Sequence, residues 1–546
     1  MGISLIDWYR NKVKCEWKFA FISAIVIGLL VHIFRFVNVL PNHDAIFNQY
    51  NSQNMIGSGR WFLSVACGLS GYFAVPWLNG MLSVLYLALT ATVLVEIFRM
   101  TNRLEIILTS GLLVTFPAVT ETFYFGFTSD GYMLAMLMAT ISVLITRIHV
   151  CVEGNKKIFR FLVSAGLLCL VCATYQAYVS FALILLVCYA VTEFLECRYS
   201  AKEYFVWILS QIVTYVIGML TFFVIWKLLM RIQGAEATTF RGINTIGTFS
   251  IQNIKVGIYT SVVATAKFFT DNFFESGFTV YACLNVLFGG AAVFGGIGAA
   301  IKSGIFRRPG MLLLVVVCIC ALPFIACMWS FVSVDAYYSV RMLQSLCIVY
   351  VFVLDVFVKW NDAKKGDALA VLLSLIIFSN AVSANVFYNG MSKAYERSYA
   401  SMTELSTRIH LLDDGTMKYI AVVGNADDEP VYAEYLRNQY RNLGILDAPE
   451  YSIVRHRARI PVFLATFTDF SLTYYEKNGL EYPIVDFGGT DMPVPKDWCF
   501  RFPLVSVSVQ NELQQMQDVR DMGNWPASDS VKVFGDIIVV KIGDCE

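Results

Sequence analysis

Asp44 lies just past the end of the chain's first apolar run, within Leu40-Pro41-Asn42-His43-Asp44-Ala45-Ile46-Phe47-Asn48. A carboxylate at a membrane surface costs free energy to dehydrate, so it either stays in water or has a chemical task. Within hydrogen-bond reach of a hydroxyl, an aspartate can accept its proton and turn that oxygen into a nucleophile. A solvated loop aspartate is the other reading. His43 beside it suits a structural role, or a hydrogen bond to substrate, better than a metal. Arg60 and Trp61 follow Gly57-Ser58-Gly59. There an arginine fork could bind phosphate and an indole could stack on a sugar ring. Both residue types also anchor chains at membrane interfaces. Glu121 and Asp130 flank an aromatic stretch that includes Tyr124, and Asp335 precedes Tyr337 and Tyr338. These acids could bind acceptor hydroxyls. Asp44, Glu121 and Asp130 could also hold a divalent metal, Mg or Mn, although three carboxylates without regular spacing specify no cofactor. Arg341 lies about one helical turn inside a later apolar run, where an unpaired cation is expensive. It could snorkel outward or bind the phosphate of a lipid carrier. Arg35, near the end of the first run, poses the same choice.

These residues hang on a set of long apolar runs. Candidate spans are 19–40, 74–98, 104–119, 131–148, 158–172, 178–195, 204–230, 278–301, 309–329, 340–358 and 368–388, about eleven helices of bilayer-crossing length. Basic residues orient them. Arg10/Lys12/Lys14/Lys18, Arg99/Arg103, Arg147/Lys156/Lys157/Arg160, Arg198/Lys202, Lys302/Arg307/Arg308 and Lys359/Lys364/Lys365 fall in alternate connections. The positive-inside rule places those connections in the cytoplasm. Four others then share the outer face: 41–73 with Asp44 and Arg60, 119–130 with Glu121, Tyr124 and Asp130, 231–277 with Arg241, and 330–339 with Asp335. Within the third, 251–274 mixes Lys255, Lys267 and Asp271 with apolar residues, which suits an interfacial or re-entrant amphipathic helix better than a span.

Composition agrees with a membrane protein: 57% of residues are hydrophobic and 15% charged, against about 25% charged in soluble domains. The formal net charge is zero, so no basic excess points to nucleic acid. The first run is too long for a signal-peptide core and lacks a small-residue exit, so it reads as an uncleaved helix. Cysteines such as Cys169, Cys172, Cys318 and Cys347 lie inside or beside apolar runs and act there as small hydrophobes. Cys499 and Cys545 sit in the polar tail, where a disulfide is open if that tail is extracytoplasmic. The division expected is 1–390 for the membrane part and 391–546 for a soluble extracytoplasmic domain. In the latter, Lys418–Asn425 and Asp536–Ile542 read as strands and Val431–Leu443 as a helix, which suggests a small α/β or α+β domain.

The order of elements resembles a known family. It comprises the basic N-terminus, the first helix, Asn42-His43-Asp44, Ser58-Gly59-Arg60-Trp61 and a many-span bundle. In the tail follow Asp491-Met492-Pro493-Val494-Pro495, Asn524-Trp525-Pro526-Ala527-Ser528-Asp529-Ser530-Val531-Lys532 and Asp536-Ile537-Ile538-Val539-Val540-Lys541. The chain is similar to the GtrII-like serotype-converting O-antigen glucosyltransferases over nearly its whole length. The resemblance implies a GT-C-like polytopic fold in the bacterial inner membrane, a polyprenyl-phosphate sugar as donor, and a glycan or lipid-linked polysaccharide as acceptor. It implies a catalytic carboxylate in the first external loop, which maps onto Asp44. Many enzymes of that class show paired acids there. This chain has His43-Asp44-Ala45, which leaves metal dependence open. The expected reaction is sugar transfer with inversion, with His43, Arg60, Trp61, Glu121, Tyr124, Asp130, Arg241, Asp335 and Arg341 as substrate-binding candidates. A transporter or flippase, or an O-antigen polymerase or ligase, is the alternative. A transporter calls for polar groups through the bundle at mid-depth, whereas here the acids gather at one face.

Overall fold

The computed structural model describes residues 12–149, 157–239, 251–270, 279–333, 338–414, 418–426, 430–467, 484–486, 491–493 and 504–545. Among them, eleven helices are long and apolar enough to cross a membrane: Cys15–Val37, Pro76–Phe98, Arg103–Tyr124, Gly126–Ile145, Lys157–Thr174, Tyr178–Glu196, Ala201–Gln233, Val280–Ser303, Pro309–Ala326, Val340–Trp360 and Ala363–Leu411. They match the apolar runs of the sequence one for one, and the chain is a multi-pass helical membrane protein. Helices satisfy their backbone polar groups internally, which is what hydrocarbon demands. Leu30, Leu220, Phe294 and Leu313 are exposed on their flanks, as lipid-facing residues would be.

Proline and capping residues set the breaks. The third span is two helices, Arg103–Thr115 and Pro117–Tyr124, joined at Phe116 with φ −57° and ψ 137°. Pro117 pushes the residue before it out of the helical region and then starts the next helix, where its missing N–H is not needed. Glu121 and Tyr124 are therefore helical, not part of a connecting loop. The seventh span begins with a capping box: Glu203 N–H donates to Ser200 Oγ at 3.3 Å, and Ser200 N–H donates to Glu203 Oε2 at 2.8 Å. The last helix does not stop at Tyr388. Ala363–Leu411 runs for 49 residues, about 74 Å at 1.5 Å per residue. Beyond the apolar part it is solvated and carries i,i+3 and i,i+4 ion pairs, Lys393–Glu396 at 2.7 Å and Glu404–Arg408 at 2.6 Å. The amphipathic segment forms a helix, Ile251–Thr270, that buries Asn253, Gly257, Ser261 and Phe268. Phe268 meets Phe116 at 5.3 Å between ring centroids.

The chain forms two compact units. The first comprises 1–39, 50–386 and 439–448, and the second 40–49, 387–438 and 449–546. Each thus takes a short piece from a distant part of the chain. The piece 40–49, with His43 and Asp44, belongs to the second unit. The piece 439–448, with Asp447, belongs to the first.

The second unit is built on strands β1 (Tyr419–Val423), β4 (Val531–Phe534) and β5 (Ile537–Lys541), with a separate antiparallel pair β2 (Ile484–Asp486) and β3 (Asp491–Pro493). In the three-stranded sheet β5 is central, parallel to β1 with Ala421 opposite Val539, and antiparallel to β4 with Val533 opposite Ile538. Gly535, at φ +61°, turns the β4–β5 hairpin. One core packs Ile420, Val422, Ile538 and Val540 against Met402, Leu405, Ile409, Ile460 and Phe463. Ile46 from the first piece is fully buried in that core, with Phe47 at its edge. These contacts fix the backbone beside Asp44.

Candidate functional site

In the first unit, aromatic rings and two arginines gather around the Tyr175-Gln176 turn. Tyr132 and Tyr175 stack at 4.7 Å, with Tyr178 within 6.3 Å of both. Arg60 lies over the Tyr175 ring at 4.7 Å, and its Nη1 is 3.5 Å from the Tyr132 hydroxyl. A tight loop delivers it. Arg60 N–H donates to Met55 O at 3.1 Å, and Gly59 between them has φ +77°. A Cβ on Gly59 would stand 3.0 Å from Gln176 Nε2 and 3.2 Å from Phe222, so glycine is required by both conformation and space. Gln176 Nε2 donates to Ser58 O at 2.8 Å and Trp226 Nε1 to Ile56 O at 2.7 Å, which hold the loop from two sides. Among the described residues, the Nε of Arg60 and the Nε1 of Trp61 are buried donors with no hydrogen-bond partner. Buried donors left unpaired are costly.

Arg341 sits at the start of the tenth span. Its guanidinium lies 3.7 Å from the centroid of the Phe125 ring, and Tyr175, Glu121 and Tyr132 are within its electrostatic reach. It does not simply snorkel away from the bundle. Two carboxyl groups hold the backbone there. Arg341 N–H donates to Glu121, and Val340 N–H donates to Asp447 Oδ2 at 3.0 Å. Acceptors at the N-terminal end of a helix satisfy its unpaired N–H groups and suit its dipole. Glu121 is thereby committed to positioning Arg341. Asp130 is fully buried in the first turn of the helix Ser129–Ile145 and accepts from Asn79 Nδ2 at 3.3 Å, which gives it a packing role within the bundle. Tyr124 is buried edge-on against Phe125 at 5.1 Å. Arg35 is buried, donating from Nε to Phe123 O at 2.9 Å; a Cβ on Gly126 would collide with its guanidinium.

In the second unit, Asn42 Oδ1 accepts from Ala45 N at 2.7 Å, and a single turn of 3-10 helix, Ala45–Phe47, follows. This cap leaves the Asp44 side chain half exposed, at 50%. His43 Nε2 is 3.5 Å from Asp44 Oδ1, and His43 Nδ1 is 3.4 Å from Glu450 Oε1. Arg459 Nη1 in turn meets Glu450 Oε1 at 3.0 Å. Burial disfavours charge on His43, yet the Glu450 hydrogen bond and the negative charges of Asp44 and Glu450 outweigh it and raise its pKa above the ordinary 6.5. For Glu450 burial also opposes charge, and His43 and Arg459 outweigh it, so its pKa falls below the ordinary 4.5.

The structure therefore brings Arg60, Trp61, Glu121, Tyr124 and Arg341 into the first unit's site region and pairs His43 with Asp44 in the second. Arg241 and Asp335 lie outside the described residues, as does Cys499. Cys545 is a free thiol. No group of three or more His, Cys, Asp or Glu side chains is placed to hold a metal among the described residues. Tyr132, Tyr175, Asp447, Glu450 and Arg459 escape a reading of the sequence. Tyr175 there marks only a turn between helices, and the tail residues carry no local motif that ties them to residues near the start of the chain.

An eleven-helix bundle with paired arginines and tyrosines at one end, joined to a small mixed-sheet unit, defines a polytopic membrane protein with polar chemistry at the helix ends. A model of the family described as Glucosyl transferase GtrII matches residues 33–352, more than half the chain. The chain belongs to this family, and the family is one of glucosyltransferases. No match was found among curated proteins.

The His43–Glu450 pair predicts a stability window. His43, with its raised folded value, contributes fully below about pH 6.5 and loses its contribution as pH rises through that raised value. Glu450, with its lowered value, contributes above about pH 4.5 and loses its contribution as pH falls through the lowered value. The difference in melting temperature between wild type and Glu450→Gln should peak between these limits and shrink on both sides; a difference flat from pH 4 to 9 excludes the pairing.

Proposed function

We propose that this glucosyltransferase moves glucose from polyprenyl phosphate to an extracytoplasmic glycan, with inversion, in the bacterial inner membrane. Asp44 is the base. It takes the proton of an acceptor hydroxyl as that oxygen bonds to the anomeric carbon. The bond from that carbon to the phosphate oxygen breaks, and polyprenyl phosphate leaves with the electron pair. Arg341 and Arg60 offset the charge that develops on the phosphate. The observation that carries this reading is the gathering of two arginines and the buried, unpartnered donors of Arg60 and Trp61 at the Tyr132–Tyr175 stack. Acceptor oxygens of an anionic, hydroxylated ligand would satisfy such donors. The half-exposed Asp44 is suited to a substrate arriving from water. The alternation of basic connections supports an extracytoplasmic second unit. No step is routed through a metal.

Three measurements test this. Asp44→Asn keeps the shape and removes the base, so transfer from synthetic polyprenyl-phosphate glucose should fall roughly 10²–10⁴-fold with donor binding intact; near-normal turnover rejects the assignment. Arg341→Lys keeps the charge but loses the fork, and Arg341→Ala loses both. Donor KM should rise in both, more in Ala, with acceptor KM unchanged. Wild-type donor kinetics in a stable Arg341→Ala protein would remove it from phosphate recognition. For orientation, alkaline phosphatase fused to the C terminus should be active and a green fluorescent protein fusion dark; the reverse pattern rejects the topology.

A further inference from the structure

We propose that Glu450 and Arg459 are positioning residues for Asp44, acting through His43. The inference rests on the reading of Asp44 as the base. All four residues belong to the second unit, so the arrangement is internal to one compact body. Charges alternate along the row. Arg459 Nη1 sits 3.0 Å from Glu450 Oε1 and also donates to Ile453 O at 3.2 Å, which fixes the guanidinium at the start of the helix Arg459–Phe467. Glu450 Oε1 is 3.4 Å from His43 Nδ1, and His43 Nε2 is 3.5 Å from Asp44 Oδ1. An imidazole that faces a carboxylate from each nitrogen can donate to both only as imidazolium. The charged groups that face His43 are Glu450, Asp44 and Arg459, two acids against one base, so the surroundings favour that form.

Asp44 needs such support. Its side chain is half exposed, and the only other restraints near it are on the backbone: Asn48 Nδ2 donates to Asp44 O at 2.8 Å, and Asn42 caps the turn. A carboxylate free to change rotamer is a poor base, because proton transfer requires a held geometry. His43 engages Oδ1 and leaves Oδ2 for the acceptor hydroxyl. At 3.4–3.5 Å the contacts are longer than a strong hydrogen bond, as is common for catalytic groups before substrate binds. The piece 40–49 can hold this register because Ile46, next but one to Asp44, is locked in the second unit's core.

The test uses purified full-length protein, synthetic polyprenyl-phosphate glucose as donor and lipid-linked O-antigen as acceptor. Glu450→Gln and His43→Gln should each lower kcat about 10- to 100-fold, the range typical when a group that orients a reacting residue is lost, with both KM values unchanged. Glu450→Asp should recover part of the loss. In an Asp44→Asn background, Glu450→Gln should cost nothing further, because residues that act as a unit are not additive. Wild-type kcat in Glu450→Gln and His43→Gln, with Asp44→Asn inactive, overturns the positioning role and leaves Asp44 as base. A loss that persists undiminished in the Asp44→Asn background, with a matching fall in melting temperature, marks the row as purely structural and also overturns the role. Normal turnover in Asp44→Asn alone removes the base itself.

Discussion

A charge taken out of water must be paired, and that requirement governs this protein. In an apolar bundle an ionised side chain has few places to go. Arg35 turns inward to the Phe123 carbonyl in a space that Gly126 leaves open. Asp130 is buried against Asn79. Glu121 and Asp447 take the backbone N–H groups of Arg341 and Val340. Each pairing fixes the start or end of a helix, so the same contacts that neutralise charge also set the geometry at that end of the bundle.

That geometry separates cations with a partner from cations with donors to spare. The cations near the other helix ends are paired: Arg99 with Glu193 at 3.0 Å, Arg147 with Glu96 at 3.4 Å, and Lys359 with Asp355 at 2.9 Å. Arg60 instead lies on the face of Tyr175 and keeps a buried Nε without a partner among the described residues. Arg341 lies on Phe125, and its nearby acid, Glu121, is engaged with its backbone. Aromatic faces stabilise a cation by roughly 0.5–2 kcal/mol without occupying its hydrogen-bonding edge. A guanidinium held this way remains able to bind an anion.

The exchange of short pieces between the two units has a functional side. The piece 40–49 follows directly on the first membrane helix, yet its buried Ile46 belongs to the core of the other unit. Asp44 is thus positioned by packing against the sheet unit and not by the helix that precedes it. The partners of His43, Glu450 and Arg459, come from that same unit. A polar tail that in sequence looks like an appendage supplies the surroundings of the carboxylate.

Much of the architecture was legible in the residues. Eleven apolar runs gave eleven helices because length and hydropathy are local properties, and the strands Tyr419–Val423 and Ile537–Lys541 stood out as β-branched runs. The residue types for phosphate and hydroxyl chemistry, Arg60, Trp61, Arg341 and Asp44, were also visible, and with them the family. Pro117 carried the helix on through Tyr124 and moved Glu121 out of a loop, and the last helix continued to Leu411 because nothing in its polar half stops a helix. Asp130 proved a buried packing acid, and Tyr132, Tyr175, Asp447, Glu450 and Arg459 entered only through folding. Helix and strand formation depend on neighbours a few residues away, so composition and period determine them. Which acid meets which base depends on how distant segments pack, and no spacing along the chain encodes that.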